Sequence, residues 1–298
     1  MSTASPAISA KRVGDSADRL NDLTVNSEFA QRLRSAGIDS LEALFQLEGD
    51  RLDKPGLAPW RQRLRVHLGS RGSPPMVAYL KRYVDPPAAA TRQVARASNG
   101  PRSLAEHEWR SMVQLARDGI HAVQPIAFGH QLIGRRERRS AVLTAAVPGE
   151  SLEALAARWT LDDRSFVQSL IRPLADLVAR FHGLGYVHRD LYLSHIFLDR
   201  GRPVDEAFRL IDVQRVMRPR WRSGRWIVKD LAALNFSAPR RLVSRTDRVR
   251  WLKHYLQTAK LDAAARRLAY RVLGKTLSIQ RHERSRVLSG RATPSTNM

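Results

Sequence analysis

The first half of the chain carries the alternating pattern of a small β-sheet. Leu64, Val66 and Leu68 alternate with basic residues, which is the period-two pattern of a half-buried strand. A turn at 69–75 and a second apolar run at 76–83 follow directly. Together these segments predict an antiparallel hairpin.

One helix is predicted beside this sheet. Residues 85–101, which combine prolines, alanines and arginines, are interpreted as a loose connection. Ser103 and Glu106 then form an S-x-x-E capping box, so a helix is expected at 104–117, ending at Gly119. Further strands are expected at 123–128 and 141–147, separated by a polar loop at 134–139.

The second half is predicted to be mainly helical. Phe166, Leu170 and Leu174 recur at helical spacing. The predicted elements here are helices at 151–158 and 163–182, strands at 196–198 and 208–211, and helical structure from Asp230 to about residue 276.

These elements predict an α+β, two-lobed fold, with a small antiparallel sheet lobe that carries one helix and a larger helical lobe. A polar tail to about residue 25 and two short amphipathic helices at 28–36 and 40–47 precede the sheet. The predicted segments are an N-terminal tail and helical extension at 1–55, a sheet lobe at 56–148, a helical lobe at 149–278, and a basic flexible tail at 279–298.

Composition narrows the class of protein. A chain of 298 residues is long enough for two lobes with a cleft between them. No apolar stretch approaches the roughly eighteen residues that a membrane-spanning helix needs, and the N-terminus lacks the apolar segment of an export signal, so we expect a cytoplasmic protein. The absence of cysteine excludes thiolate metal sites, disulfides and cysteine nucleophiles.

Charge indicates an anionic partner. The formal net charge of +23 would attract nucleic acid, anionic lipid head groups or a phosphorylated substrate. Charge alone does not choose among these three, and a general preference for arginine explains part of the excess.

The candidate chemistry lies in two neighbouring motifs. Residues 185–199 read GYVHRDLYLSHIFLD, and residues 209–215 read RLIDVQR. In phosphoryl transfer one carboxylate orients the acceptor hydroxyl and takes its proton, while another holds the metal ion on the phosphates. Asp190 and Asp212 fit these two tasks in that order.

The segment HRDLYLSHIFL resembles the catalytic loop of the protein-kinase superfamily, and LIDVQR stands where that superfamily carries its metal-binding D-F-G. With RWIVKDLAAL at 225–234, the motifs resemble the lipopolysaccharide core heptose kinases, the Kdo/WaaP family, over residues 60–237. The resemblance implies a kinase fold that uses ATP and Mg²⁺. It also implies an acceptor in the lipopolysaccharide inner core, a heptose, and peripheral contact with the anionic cytoplasmic face of the inner membrane.

The resemblance also implies roles for residues of the sheet lobe. Lys81 in YLKRY would contact the α- and β-phosphates of ATP and pair with a glutamate of the following helix. Glu108 is the predicted partner, because it shares a face with apolar residues, whereas Glu106 is occupied by the capping box. Ala145 and Val147 would lie in the hinge that presents backbone groups to adenine.

In the helical lobe, the resemblance implies that Arg189 braces the catalytic loop and that His188 is structural. Asp230, at the predicted start of a helix, would hold the backbone of the catalytic loop from below. His195 stands where a second metal-holding asparagine is expected. His195 is therefore a candidate for the metal site together with Asp212. Because Mg²⁺ prefers oxygen ligands, an imidazole is a poor direct ligand, and His195 would act through water or by orienting Asp212.

Two alternatives stay open at this point. The first is a kinase of the same fold that acts on protein serine or threonine, or on a small hydroxylated molecule. The second is a catalytically silent kinase-like domain whose basic surface binds nucleic acid or membrane. No G-x-G-x-x-G occurs in the first hairpin, so the lid over the phosphates must be built differently. Nucleic acid is not the partner we expect, and the sequence leaves the oligomeric state and the sugar hydroxyl open.

Overall fold

The computed structural model of the protein describes residues 17–52, 57–70, 73–97, 100, 102–221 and 223–288. Residues 1–16 of the predicted tail, the centre of the first hairpin turn with Gly72, and residues 289–298 lie outside the described residues.

The described part of the small lobe is built on a seven-stranded antiparallel sheet with the order β1-β2-β6-β7-β5-β4-β3. Its strands are Ala17–Leu20 (β1), Leu23–Asn26 (β2), Asp50–Arg51 (β3), Arg61–Ser70 (β4), Ser73–Val84 (β5), Pro125–Ile133 (β6) and Arg136–Ala145 (β7). The predicted hairpin is confirmed as the β4–β5 pair, and both further strands are present.

The N-terminal segment is part of this lobe. Ser27–Ser35 (α1) and Leu41–Gln46 (α2) are capped by Asn26 and Ser40, and both confirm the predicted helices. They pack on one face of the sheet, where Leu33 and Leu44 share a core with the apolar side of β4. The predicted polar tail is wrong from Ala17 onward, because β2 pairs with β6 and is half-buried. Residues on both sides of the expected boundary at 55/56 therefore share one sheet and one core.

The opposite face of the sheet carries Leu104–Arg117 (α4), at the predicted bounds and with Ser103 as N-cap. The loose connection predicted before it is wrong, because Ala88–Ala97 (α3) is helical. Pro86 and Pro87 directly precede an alanine-rich run, and both features favour helix initiation and propagation. The predicted polar loop at 134–139 is also wrong, because β7 already begins at Arg136.

The described part of the large lobe is mainly helical, with one small antiparallel sheet in the order β10-β9-β8. Its elements are Glu150–Ser151 (β8), Leu152–Arg158 (α5), Arg164–Ser169 (α6), Ile171–Gly183 (α7), Ile196–Leu198 (β9), Phe208–Leu210 (β10), Ser223–Ser237 (α8), Arg245–Tyr255 (α9) and Ala263–Leu288 (α10). A second core joins the face of α4 to this lobe, through Met112, Phe181, Leu198 and Leu210. The cleft between the lobes is thus bounded by β4, β5, α4 and the strands β9 and β10.

Three predictions for this lobe are corrected. The single helix expected at 163–182 is two helices that meet at Leu170. The last helices begin earlier than expected, since α8 starts at Ser223 and places Asp230 in its middle. The basic tail predicted from residue 279 is helical as far as Leu288.

Within the described residues, no helix combines the length and the apolar character needed to cross a bilayer.

Candidate active site

The small lobe contributes a buried ion pair. Lys81 lies on β5, and its Nζ donates to Glu108 Oε1 on α4 at 2.5 Å. The Glu108 carboxylate is 1% exposed and also accepts a hydrogen bond from the Tyr83 hydroxyl at 3.3 Å. Glu106 instead accepts from the backbone N–H of Arg102 and from Arg110. Of the two glutamates considered from the sequence, Glu108 is therefore the one that pairs with Lys81.

Asp212 brings a second carboxylate to the same ammonium group. It follows β10 with φ 55° and ψ 47°, a left-handed conformation that is uncommon outside glycine and best tolerated by Asn and Asp. This backbone geometry directs Oδ1 to within 3.1 Å of Lys81 Nζ. Lys81, from the sheet, thereby connects α4 to the segment that follows β10.

The protonation states follow from these contacts. Burial alone would raise the pKa of Asp212, but the charges of Lys81, Arg63 and His195 outweigh it and hold that pKa well below its usual value. Burial lowers the pKa of Lys81, but the negative charges of Glu108 and Asp212 together raise it by more, so the net shift is upward. Asp212 is thus an ionised carboxylate beside an ammonium group that is charged at neutral pH.

The catalytic-loop segment is held by Asp230. This aspartate is fully buried, and its two oxygens accept from the backbone N–H groups of His188 and Arg189, each at 2.6 Å. Arg189 has φ 73°, which is a strained conformation for a long side chain. Asp230 stabilises this conformation and holds the loop backbone, as predicted. It does so from the middle of α8 and not from the start of a helix, so the predicted N-cap position is wrong.

Two stacked histidines connect the catalytic loop to the Asp212 segment. The rings of His188 and His195 are 5.9 Å apart and inclined by 25°. His188 Nε2 bonds the carbonyl of Ile211 at 3.0 Å. His195 Nδ1 donates to the carbonyl of Asp190 at 2.7 Å, and its Nε2 lies 3.8 Å from Asp212 Oδ2. His195 therefore lies between the backbone of Asp190 and the carboxylate of Asp212.

The Asp190 carboxylate is held by two cations. Arg215 Nη1 donates to its two oxygens at 3.0 and 2.7 Å, and Lys229 Nζ lies 3.3 Å from Oδ1. The side chain is about a quarter exposed, so it faces the cleft while its orientation is fixed. The structure thus places an oriented and partly exposed carboxylate on the catalytic loop.

A family model described as "Lipopolysaccharide kinase (Kdo/WaaP) family" matches residues 89–255, which is more than half of the chain and contains Glu108, Asp190, Asp212 and Asp230. The chain belongs to this family.

Similar proteins agree with the family. A lipopolysaccharide core heptose(I) kinase WaaP of Pseudomonas aeruginosa is 32% identical over 161 residues, covering 51% of this chain and 59% of the relative. A protein of the same description from Escherichia coli K12 is 30% identical over 157 residues, again 59% of its length. The aligned part of this chain thus spans less than two thirds of the curated relatives that it matches.

A solved structure shares the fold. It is described as "WaaP in complex with acyl carrier protein" and superimposes with a TM-score of 0.62, covering 87% of this chain and 97% of that chain at 23% identity. The two-lobed kinase-like architecture predicted from the sequence is confirmed.

Three contacting cations of this family member were not predicted as site residues. Arg215 and Lys229 stand next to motif residues that were singled out, and their positive charge beside Asp190 is the signal that could have identified them. Arg63 was assigned to the polar side of a half-buried strand. It lies directly opposite Lys81 in the β4–β5 register, and its Nη2 is 3.6 Å from Asp212 Oδ2.

The hinge and metal assignments stay predictions. Ala145 ends β7 and Val147 packs against the core of the large lobe, so both lie where the chain passes between lobes. Among the described residues no group of three or more His, Cys, Asp or Glu side chains could hold a metal ion. Asp212 nevertheless fits Mg²⁺, since this ion is commonly held by one or two carboxylates together with phosphates and water. With Nδ1 engaged by Asp190, His195 fits a positioning role.

Replacement of Arg63 tests its part in nucleotide binding. Since no glycine-rich lid was found in the sequence, we expect Arg63 to neutralise phosphate charge from above Lys81. Arg63→Gln is expected to weaken binding of Mg·ATP roughly tenfold, the loss of about 1.4 kcal/mol for one charge-assisted hydrogen bond. Isothermal titration calorimetry with a non-hydrolysable analogue measures it.

Arg136→Gln is the matched control, because that side chain is 74% exposed on the β6–β7 hairpin. Equal nucleotide affinity in the Arg63 and Arg136 variants would contradict the assignment.

Proposed function

We propose that this chain is an ATP-dependent kinase that phosphorylates a sugar hydroxyl, a heptose, of the lipopolysaccharide inner core. The observation that carries the proposal is the convergence of Lys81, Glu108 and Asp212 at one point. His195 connects this cluster to the backbone carbonyl of Asp190, the residue whose carboxylate is oriented by two cations. The heptose follows from the relatives, which are named core heptose(I) kinases.

Each side chain then has a task. Lys81, steadied by Glu108, contacts the α- and β-phosphates of ATP. Asp212 would hold Mg²⁺, which when bound neutralises charge on the transferring phosphates. Asp190 orients the acceptor hydroxyl and takes its proton while the hydroxyl oxygen bonds to the γ-phosphorus and the bond from that phosphorus to the ADP oxygen breaks.

The pairing seen at Asp190 supports this role. Arg215 and Lys229 hold its carboxylate in one orientation before any acceptor arrives. Preorganised cations near the reacting oxygens also favour the charge that develops in transfer. A silent domain has no need of these contacts, so their presence with Lys81 and Asp212 favours catalysis over the non-catalytic alternative.

The base assignment is tested in cells. Asp190→Ala should leave the chain folded, because the Asp190 side chain is not part of either core, while removing phosphate from the lipopolysaccharide core. Mass spectrometry of extracted lipopolysaccharide measures this. Asp205→Ala, at an exposed turn of the same lobe, should change nothing, and unaltered core phosphate in the Asp190 variant would overturn the assignment.

An assay with purified protein distinguishes this function from the first alternative, a kinase that acts on protein. Purified chain should transfer phosphate to core oligosaccharide and not to a generic protein substrate. The opposite preference would favour a protein kinase of the same fold.

We further propose peripheral contact with the anionic cytoplasmic face of the inner membrane. Along α10, Tyr270, Leu273 and Leu277 are 74%, 51% and 55% exposed, and their spacing places them on one helical face. Arg281 continues that face. A basic and apolar helix face is typical of interfacial binding, which combines apolar insertion with attraction to anionic lipid.

Vesicle sedimentation tests this contact. The chain should sediment with vesicles that contain an anionic lipid, less at high salt, and weakly with neutral vesicles. Leu277→Ser should reduce the bound fraction several-fold. Leu161→Ser, at a position 66% exposed in the large lobe, is the control, and equal loss in both variants would contradict docking through α10.

We also propose an acyl carrier protein as a partner, as in the description of the similar structure. A cavity of about 590 Å³ lies in the large lobe, walled by apolar side chains that include Leu152, Leu174, Leu231 and Val272. Its volume lies within the usual range of small-molecule sites. Burial of each CH₂ group contributes about 0.8 kcal/mol, so this cavity suits an acyl chain carried by such a partner.

The partner is tested by comparing acylated and unacylated carrier protein. The acylated form should bind at least tenfold more tightly, measured by calorimetry. Ala156→Leu, which adds volume at a buried cavity wall, should remove most of that difference. Ala157→Leu, one residue on and exposed, should retain it, whereas equal affinity of the two carrier forms for the unmodified chain would refute acyl recognition.

A further inference from the structure

A separate cluster of positive charge lies beside the catalytic loop. It lines a cleft of about 300 Å³ bounded by α3, α4, the start of β4 and the residues after Asp212. Arg61, Arg189 and Arg215 line this cleft, and none of the described lining residues carries a carboxylate. The volume is at the lower end of the range for small-molecule sites.

Arg189 supplies a donor that the protein itself does not satisfy. The residue is only 8% exposed, and its Nε has no hydrogen-bond partner among the described residues. The guanidinium is fixed over the ring of Trp226, with its carbon 4.7 Å from the ring centroid. A buried donor without an acceptor is destabilising, and such groups need an explanation, of which an absent ion is one.

The charged side chains among the described residues that line the cleft are all positive. Burial and the charge of Arg215 lower the pKa of Arg189, and the charges of Asp190 and Asp230 offset this only in part. Burial also lowers the pKa of His107, at the cleft wall, to about 4, so that it is neutral near pH 7 and adds no positive charge to the cleft. Asp230 lies close by, but both of its oxygens are occupied by backbone N–H groups. Arg215 is paired with Asp190, so an anion in the cleft would chiefly supply the acceptor that Arg189 Nε lacks among the described residues.

We propose that this cleft binds an anionic group of the acceptor, a phosphate or a carboxylate, next to the hydroxyl that Asp190 orients. The inference deepens the proposed function and rests on it for the identity of the acceptor. Arg215 supports the placement, because it lines the cleft and also contacts Asp190. The planar guanidinium group donates in pairs to phosphate or carboxylate.

Arg61 is the residue through which the cleft can be tested without disturbing the catalytic carboxylates. Its guanidinium lies 4.8 Å from the ring centroid of Trp60, on the wall opposite the catalytic loop. Within the described part of the chain, the ion pairs of Asp190, Asp212 and Lys81 are made by other side chains. Removing its charge therefore changes the cleft while the buried ion pair stays intact.

The first measurement uses inorganic phosphate as the probe and requires no turnover. Calorimetry on the full chain should show phosphate binding that Arg61→Gln weakens roughly tenfold, corresponding to one charge-assisted hydrogen bond. Arg63→Gln, which removes a charge at the nucleotide site instead, should retain it. Arg51→Gln, exposed on the neighbouring strand β3, should retain it as well.

A second variant keeps the test independent of folding. Ala90 lines the cleft from α3, and Ala90→Glu would place a carboxylate inside it. This variant should abolish phosphate binding and should not lower the melting temperature. If neither Arg61→Gln nor Ala90→Glu changes the affinity for phosphate, the proposal that this cleft binds an anion is overturned.

The second measurement distinguishes the acceptor's own anionic group from free phosphate. If the acceptor fills the cleft, Arg61→Gln raises KM for core oligosaccharide roughly tenfold and leaves kcat at saturation within a factor of about two. Inorganic phosphate then competes with the acceptor and not with ATP. Phosphate binding at Arg61 with an unchanged acceptor KM overturns the acceptor assignment. Arg61-dependent phosphate binding without any transfer to core oligosaccharide contradicts the proposed function and supports the cleft.

Discussion

The Lys81 ammonium, shared by two carboxylates, is the interaction on which the site depends. Transfer of a lysine and two acidic groups out of water costs free energy unless each charge is compensated. Glu108 and Asp212 both compensate the charge of Lys81. Burial would raise the pKa of Asp212, but the cations around that carboxylate lower it by more. Because these three residues come from β5, α4 and the segment after β10, their mutual contacts fix the relative positions of both lobes at the cleft.

The large lobe holds its part of the site by a different means. Arg189 and Asp212 both adopt positive φ, so the backbone around them is strained in the absence of compensating contacts. Asp230 satisfies two N–H groups of the catalytic loop, and His188 bonds the carbonyl before Asp212. Buried polar contacts therefore hold the backbone at Arg189 and beside Asp212 in these strained conformations. The same contacts fix the directions of the neighbouring Asp190 and Asp212 carboxylates.

Local patterns were sufficient where one interaction decided the outcome. Ser103 caps the start of α4 as predicted, although the Glu106 carboxylate accepts from the N–H of Arg102, one residue before the cap. The face shared by Glu108 with apolar residues identified the partner of Lys81. Predictions failed where tertiary contacts decided instead. The strand at Leu23–Asn26 is short and polar in part, and its pairing with β1 on one side and β6 on the other makes it a strand.

Arg63 is the clearest case of information that the sequence does not hold. Alternation correctly placed it on the face opposite Leu64, but that pattern is the same whether the polar face meets solvent or a cleft. The outcome depends on α1 and α2, which cover the apolar face of β4 and leave its basic face toward the nucleotide side. Arg215 and Lys229 were missed for a related reason, since their contact with Asp190 joins segments 25 and 39 residues apart.

The N-terminal helices α1 and α2 thus affect the candidate active site, although they lie far from its motifs in the sequence. Because α1 and α2 bury Leu64, Val66 and Leu68, the period of two along β4 forces Arg63 toward the cleft. A register slip of one residue would reverse these faces and remove the cation from Asp212. The pairing of Arg63 with Lys81 across β4 and β5 is therefore set jointly by the hairpin and by helices that pack on the opposite face of the sheet. The phosphate side of the site depends on packing that lies on the far side of the sheet.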